Sequence, residues 1–294
     1  MSKAIKTNSA KAWLLAARPK TLTGAWIPVI IATALAYSDH SLKWPPALLC
    51  LLFASLMQIA ANFINDLIDF RKGTDRNDRL GPERACAQGW ITPRAMETGI
   101  AITLICACGA GLLLLLWGSL WLIAIGIACV VFAFLYTTFL SYIGLGDLLV
   151  FVFFGFVPVI CTYYVQTGTI TEDAVICSLA SGLVIDLLLI INNYRDRDTD
   201  RHSGKHTLIA LFGERFGNRQ YLITGILAWA CCIALACHQH IMALVLASLF
   251  LPLHWMTWRE MVRIHHGKEL NRILGKTSRN MFVFAILVAL GLIV

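Results

Sequence analysis

Charged side chains make up only 14% of the 294 residues, against about 25% in an ordinary soluble domain. So small a charged set cannot clothe the one or two soluble domains that this length would otherwise suggest. The 58% hydrophobic content and a mean hydropathy of +0.72 likewise exclude a disordered chain. Other absences narrow the field. None of the ten cysteines (50, 86, 106, 108, 129, 161, 177, 231, 232 and 237) forms a CxxC pair, and the eight histidines make no HExxH or other ligand spacing. The cysteines therefore read as buried free thiols rather than disulfide or metal ligands, and His265 and His266 as solvated residues of a basic loop. There is no low-complexity segment. The polar, basic first twelve residues are not followed by a short apolar stretch with a small-residue cleavage site, so a removable signal peptide is not expected.

What the chain has instead is long apolar runs. Nine of them reach bilayer-crossing length, at 22–38, 44–64, 95–117, 119–140, 147–166, 173–193, 219–238, 240–257 and 279–294. Several are joined by only a few residues, as at 118–120 and 237–240, which reads as helical hairpins. In lipid each segment must satisfy its own backbone polar groups, so the expected fold is all-α: a nine-helix transmembrane bundle forming one integral-membrane domain over 1–294.

The formal net charge of +7 becomes informative once it is mapped. If the N-terminus is cytosolic, nine spans place 23 of the 24 Lys and Arg on the cytosolic side, in the N-terminal tail and in loops 66–94, 194–219 and 258–279, with Lys43 alone outside. The positive-inside rule then predicts a cytosolic N-terminus, an external C-terminus and a multi-pass protein of the cytoplasmic (inner) membrane. The net positive charge is thereby accounted for by topology, without nucleic-acid binding.

Two of the cytosolic segments are unlike ordinary loops. Residues 62–84 read NFINDLIDFRKGTDRNDRLGPER and residues 192–207 read NNYRDRDTDRHSGKHT, each beginning inside the end of an apolar run. On a helix continuing from the second span, Asn62, Asn65, Asp66 and Asp69 recur at spacings of three and four and share one face, as do Asn192, Asn193, Asp196 and Asp200 beyond the sixth. The pattern Asn65-x-x-x-Asp69 repeats as Asn192-x-x-x-Asp196, and a Thr-Asp-Arg follows each, at 74–76 and 199–201. Four spans separate the two, so both emerge on the same side, as an internal duplication would place them.

Carboxylates this dense beside lipid are costly unless paired or bound to cations. Diphosphate chemistry wants this mixture of residues: hard carboxylate and amide oxygens hold Mg2+, which keeps several waters and bridges to substrate phosphates. Arg and Lys take the remaining phosphate oxygens. Ionising an allylic diphosphate needs that neutralisation of the leaving group.

On these residues the chain resembles the UbiA superfamily of intramembrane aromatic prenyltransferases, which carry an NDxxDxxxD-type motif after the second helix and DxxxD after the sixth. The matching residues are Asn65-Asp66-Leu67-Ile68-Asp69 and Asp196-Arg197-Asp198-Thr199-Asp200. The branch that prenylates 1,4-dihydroxy-2-naphthoate is further resembled by Arg18-Pro19-Lys20-Thr21-Leu22, Asp69-Phe70-Arg71-Lys72-Gly73-Thr74-Asp75 and Gly81-Pro82-Glu83-Arg84. Gly144-Leu145-Gly146-Asp147, Thr162-Tyr163-Tyr164-Val165-Gln166-Thr167-Gly168, Gly204-Lys205-His206-Thr207 and Leu211-Phe212-Gly213 extend the likeness. One departure stands out: Gly73 occupies the place of the third Asp of the broader pattern, a role that Asp75 would take over.

The resemblance implies Mg2+-dependent transfer of a polyprenyl group from its diphosphate to the naphthoate ring, with decarboxylation, on the way to menaquinone. It implies Asp66, Asp69, Asp196 and Asp200 as the catalytic acids holding Mg2+, with Asn65, Asp75, Asn192 and Asn193 completing the ligand set. Lys20, Arg71, Lys72, Arg84, Tyr136 and Lys205 would contact the diphosphate; the cations can also serve as topological anchors, and Tyr136 as an interfacial belt residue. Asp186, the one acid deep in an apolar run, points into the bundle either as a buried protonated acid or as a group orienting the acceptor. The partners implied are a polyprenyl diphosphate, an aromatic acceptor and the lipid bilayer. Within the superfamily 4-hydroxybenzoate is the rival acceptor. A secondary transporter would also carry intramembrane acids but near mid-bilayer, and the DGxxAR signature of CDP-alcohol phosphotransferases is absent.

Overall fold

The structure, a computed structural model, describes residues 5–73, 80–136, 138 and 144–294. These residues form helices and no strand. The first element is a short helix α1 (Ala10–Ala17), separated from α2 (Pro19–Ser38) by Arg18 in the left-handed region. Pro19 can open α2 because the first turn of a helix needs no N–H from it. Then follow α3 (Trp44–Lys72), again with proline in its first turn, α4 (Pro93–Leu113), capped by the Thr92 hydroxyl accepting from the Ala95 amide, and α5 (Trp121–Leu135).

The next span is compound: α6 (Gly146–Val150), a π-helical turn over Phe151–Phe156, and α7 (Val157–Thr167). The buried Ser181 hydroxyl reaches across from the following helix to donate to the Phe154 carbonyl in that turn at 3.1 Å. That helix, α8 (Glu172–His202), starts on a Thr171 cap and carries Glu172 and Asp173 in its first turn and Arg201 and His202 in its last. This charge arrangement complements the helix dipole at both ends. The chain ends with α9 (Leu208–Phe212), α10 (Glu214–Cys237), α11 (Ile241–Ala247), α12 (Phe250–Ile264) and α13 (Leu270–Ile293).

Among the described residues, eight helical stretches are long and apolar enough to cross a membrane, the pairs α6–α7 and α11–α12 each counting once. The remaining expected run, 119–140, is helical over Trp121–Leu135, and its last residues fall largely outside the described ones. Helix α8 is the axis of the bundle: 67% of its apolar window is buried, against α2, the α6–α7 span, α10 and α13. The packing of α13 on α2 brings the two ends of the chain together. The main core lies among α2, α7, α8, α10, α11 and α13. A second, smaller core joins α1 and α3 to residues 85–100 through Ala12, Phe63, Leu67, Cys86 and Ile91.

Two helices are much longer than the layer they cross. At 29 and 31 residues, α3 and α8 reach about 43 Å and about 46 Å at 1.5 Å per residue, against a hydrocarbon thickness of about 30 Å. The Asn and Asp clusters sit in their C-terminal turns. Helix α3 stops at Gly73, whose φ of 65° is the left-handed cap that an Asp at that position would adopt only under strain.

Replacing Ser181 by Ala removes a buried donor without changing the volume much. Unfolding in detergent is expected to show a loss of about 0.5–1.5 kcal/mol, with the helical content unchanged by circular dichroism.

Candidate active site

Between α2, α3, α4, α5, α7 and α8 lies an apolar cavity of about 500 Å3. Most of its wall is aliphatic and aromatic, including Pro28, Phe53, Phe132 and Phe153. Its polar lining includes Thr21, Gln58, Asn65, Tyr136 and Asn192. Asn65 and Asn192 thus come from the two repeated patterns and meet on one cavity.

One helical turn beyond each Asn stands an Asp with an arginine partner. Arg84 donates to the Asp69 carboxylate at 2.5 Å, with the guanidinium buried and the acid about four-fifths buried. Arg195 takes Asp196 in a two-pronged grip at 2.7 and 2.6 Å, its own side chain only 3% exposed. The repeated pattern is therefore repeated in its contacts: an amide on the cavity, then a carboxylate held by a buried cation. Such pairs are stringent, because deleting one partner strands the other charge at low dielectric, a loss of about 3–5 kcal/mol.

Asp66 has a different setting. It is 1% exposed, and its two carboxylate oxygens accept the backbone amides of Ala85 and Cys86 at 2.8 and 2.9 Å. Asp66 and Asn65 are neighbours and so point about 100° apart around the helix, which is why one binds the 85–86 backbone while the other lines the cavity. The expected shared face is thus split, and Asp66 clamps the loop that carries Arg84. Asn62, on the same stripe, donates to the Ala17 carbonyl and the Thr21 hydroxyl, both at 2.9 Å, and so fixes the α1–α2 junction.

In the second cluster, Asn193 lines a small polar recess together with Tyr136, Asp147, Lys205 and Thr207. Gly144 allows this recess to close: its φ is 80°, and a Cβ there would lie 2.7 Å from the His206 carbonyl. Asp200 is 8% exposed, and among the described residues its Oδ2 has no hydrogen-bond partner. Lys205 Nζ stands 3.7 Å from Oδ1. Tyr136 lines both this recess and the apolar cavity. Asp186 is buried, with Oδ1 lacking a hydrogen-bond partner among the described residues.

Other expected site residues have local partners. Arg71 pairs with Glu97, Lys72 donates to the Thr138 carbonyl at 3.1 Å, and Lys20 is an exposed residue in the first turn of α2. Asp75 lies outside the described residues. Polar residues that spacing did not point to also shape the site. The buried Arg197 donates to Glu214 at 3.1 Å and stacks over the Tyr194 ring at 4.7 Å, locking the end of α8 onto α10. Arg201, exposed, donates to the Ala210 carbonyl and so holds α9. Both had read as basic loop residues, and nothing in their spacing separated the buried cation from the exposed one.

The oxygens present suit magnesium. Among the described residues no three His, Cys, Asp or Glu side chains group closely enough to cage a metal on their own. Mg2+ is rarely caged by protein alone; it takes one or two carboxylates and completes its shell with water and substrate phosphate. The orphaned Asp200 Oδ2 and the cavity-facing amides of Asn65 and Asn192 are hard oxygen donors of the required type.

Comparison with known proteins agrees with this chemistry. The profile of the UbiA prenyltransferase family matches residues 25–290. The 1,4-dihydroxy-2-naphthoate octaprenyltransferase of Mycobacterium tuberculosis is 35% identical over 280 residues, covering 94% of this chain and 95% of its own. The protein of that name from Escherichia coli is 37% identical over 234 residues, 76% of each chain. Among solved structures, a UbiA homolog from Aeropyrum pernix in its apo form has a TM-score of 0.70 at 17% identity, covering 92% of this chain and 96% of its own. A UbiA homolog from Archaeoglobus fulgidus bound to DMAPP and Mg2+ has a TM-score of 0.64 at 15% identity, with 96% and 98% covered. At such identities these two structures speak for the fold.

Substituting Asp66 by Asn turns one acceptor oxygen into a donor facing an amide. Hydrogen exchange at Ala85 and Cys86 is expected to accelerate by the equivalent of about 1–3 kcal/mol, while exchange in the middle of α8 stays unchanged.

Proposed function

The chain belongs to the UbiA prenyltransferase family, and we propose that it transfers a polyprenyl group from polyprenyl diphosphate to 1,4-dihydroxy-2-naphthoate with loss of carbon dioxide, giving demethylmenaquinol, the reduced form of demethylmenaquinone. The observation that carries this reading is the pairing of Asn65 and Asn192 on one apolar cavity, each with an arginine-held Asp one turn further on. The naphthoate acceptor is supported by relatives of that name, one of them matching 94% of the chain at 35% identity. The protein is a multi-pass membrane enzyme. We place it in the bacterial cytoplasmic membrane as one domain of nine spans, with the N-terminus and the polar ends of α3 and α8 on the cytosolic side.

In this reading the apolar cavity takes the prenyl chain, whose allylic end and diphosphate lie at the Asn65–Asn192 wall. Asn65, Asp69, Asn192, Asp196 and Asp200 would hold Mg2+, with Asp75 a further candidate. Asp66, both of whose oxygens are engaged by backbone amides, supports the site from behind. Bound Mg2+ supplies charge neutralisation to the departing diphosphate. Arg84 and Lys205, and beyond them Lys20, Arg71 and Lys72, provide positive charge at the same boundary.

The reaction breaks the allylic C–O bond, and its electron pair leaves with the diphosphate. The aromatic faces of Phe132 and Phe153, 4.8 Å apart between centroids on the cavity wall, shield the cationic carbon by π contact. A ring carbon of the acceptor forms the new C–C bond. The carboxylate leaves as carbon dioxide, and the pair that bound it restores the aromatic ring. Tyr136, on both the cavity and the recess, is placed to donate to a diphosphate oxygen.

Membranes containing the protein, given labelled polyprenyl diphosphate, Mg2+ and carboxyl-labelled 1,4-dihydroxy-2-naphthoate, are expected to yield prenylated product and labelled carbon dioxide together. Product with 4-hydroxybenzoate and none with the naphthoate would overturn the acceptor. In the same assay Asp196→Ala and Asp200→Ala are expected to lower turnover by on the order of 100-fold or more, as for loss of a charge-stabilising group. Chelation of divalent cations should abolish product formation, and Mg2+ should restore it.

A further inference from the structure

Residues 80–86, between α3 and α4, are held at both ends. At the far end Asp66 accepts the amides of Ala85 and Cys86. At the near end the Leu80 carbonyl accepts a hydrogen bond of 2.7 Å from the side-chain amide of Asn271, in the first turn of α13 and 191 residues away in sequence. Between the two ties stands Arg84, on Asp69. The other half of the Asn271 amide is also in use: its Oδ1 accepts from Arg195 Nη1 at 2.8 Å. The remaining nitrogens of Arg195 grip Asp196.

A carboxamide is suited to this place, since it can donate to a carbonyl and accept from a guanidinium at once. A carboxylate could serve only the arginine, and an aliphatic side chain neither. Arg195 itself is 4% exposed, so its orientation is decided by these partners rather than by solvent. One half-buried side chain on the last helix thus contacts the loop that delivers the partner of Asp69 and the cation that orients Asp196.

We propose that Asn271 is a positioning residue that joins the two halves of the diphosphate site, fixing Arg84 through Leu80 and Asp196 through Arg195. The proposal rests on the diphosphate reading above for its kinetic consequence but not for the tether itself. The tether has its own reporter, because Cys86 is buried beside the Asp66 clamp whereas Cys237 is exposed. If Asn271 holds the segment, removing it opens the segment and uncovers the Cys86 thiol.

The test uses the full-length protein in detergent, as wild type, Asn271→Ala and Asn271→Asp, with maleimide labelling of Cys86 followed by peptide mass spectrometry against Cys237. Both variants are expected to label Cys86 about five-fold faster, the factor that corresponds to losing one buried hydrogen bond. In the prenyl-transfer assay Asn271→Ala should raise KM for the polyprenyl diphosphate and the Mg2+ concentration for half-maximal rate. KM for the aromatic acceptor should stay within error. Asn271→Asp, which keeps an acceptor for Arg195, should recover part of that loss while still exposing Cys86. Wild-type labelling of Cys86 in both variants overturns the tether. An equal rise in both KM values with a lowered melting temperature overturns the positioning role in favour of a purely structural one. If the wild-type protein transfers no prenyl group to any acceptor, the proposed function fails while the labelling still decides the tether.

Discussion

A hydrocarbon layer about 30 Å thick that offers no hydrogen bonds to a backbone is the constraint from which the rest follows. It forces the chain into helices. Helices α3 and α8, of 29 and 31 residues, are longer than that layer is thick, and their last turns carry the Asn and Asp clusters to which the proposed reading assigns the diphosphate. A polyprenyl diphosphate has the same division, an apolar tail and an anionic head, and the cavity repeats it with an aromatic and aliphatic body and an amide wall.

At that boundary the difficulty is electrostatic. Unpaired carboxylates there would be repelled by one another and by the loss of solvent, so each is given a partner of its own: Arg84 for Asp69, Arg195 for Asp196, two backbone amides for Asp66. These partners are positioned in turn by groups remote in sequence. Arg195 leans on Asn271 from α13, and the end of α8 is fastened to α10 by Arg197 and Glu214. The C-terminal helices, which contribute little to the wall of the cavity, thereby take part in the site by holding what holds the acids.

Much of this was legible in advance. Apolar runs gave the helices, and the spacing of Asn65 to Asp69 and of Asn192 to Asp196 predicted two equivalent stations, because a period of 3.6 puts such residues on one stripe whatever surrounds the helix. Spacing could not tell Asn65 from Asp66, which differ by one residue and by about 100° of rotation; which of them met the cavity depended on where the 85–86 backbone came to lie. Nor could it tell Arg84, buried on an acid, from Arg71, paired at the surface with Glu97. In sequence both are basic residues of the same loop.

The sequence by itself determined the class of the molecule: membrane helices from apolar length, and two amide-and-acid stations from helical period. These are local properties, fixed by distance along the chain. Only the tertiary structure decided which oxygens stay open, which are closed by amides or guanidinium groups, and that Asn271 bridges the two halves. Those depend on contacts between segments as far as 191 residues apart, and a hydrogen bond is set by angstroms in space, which order along the chain does not encode.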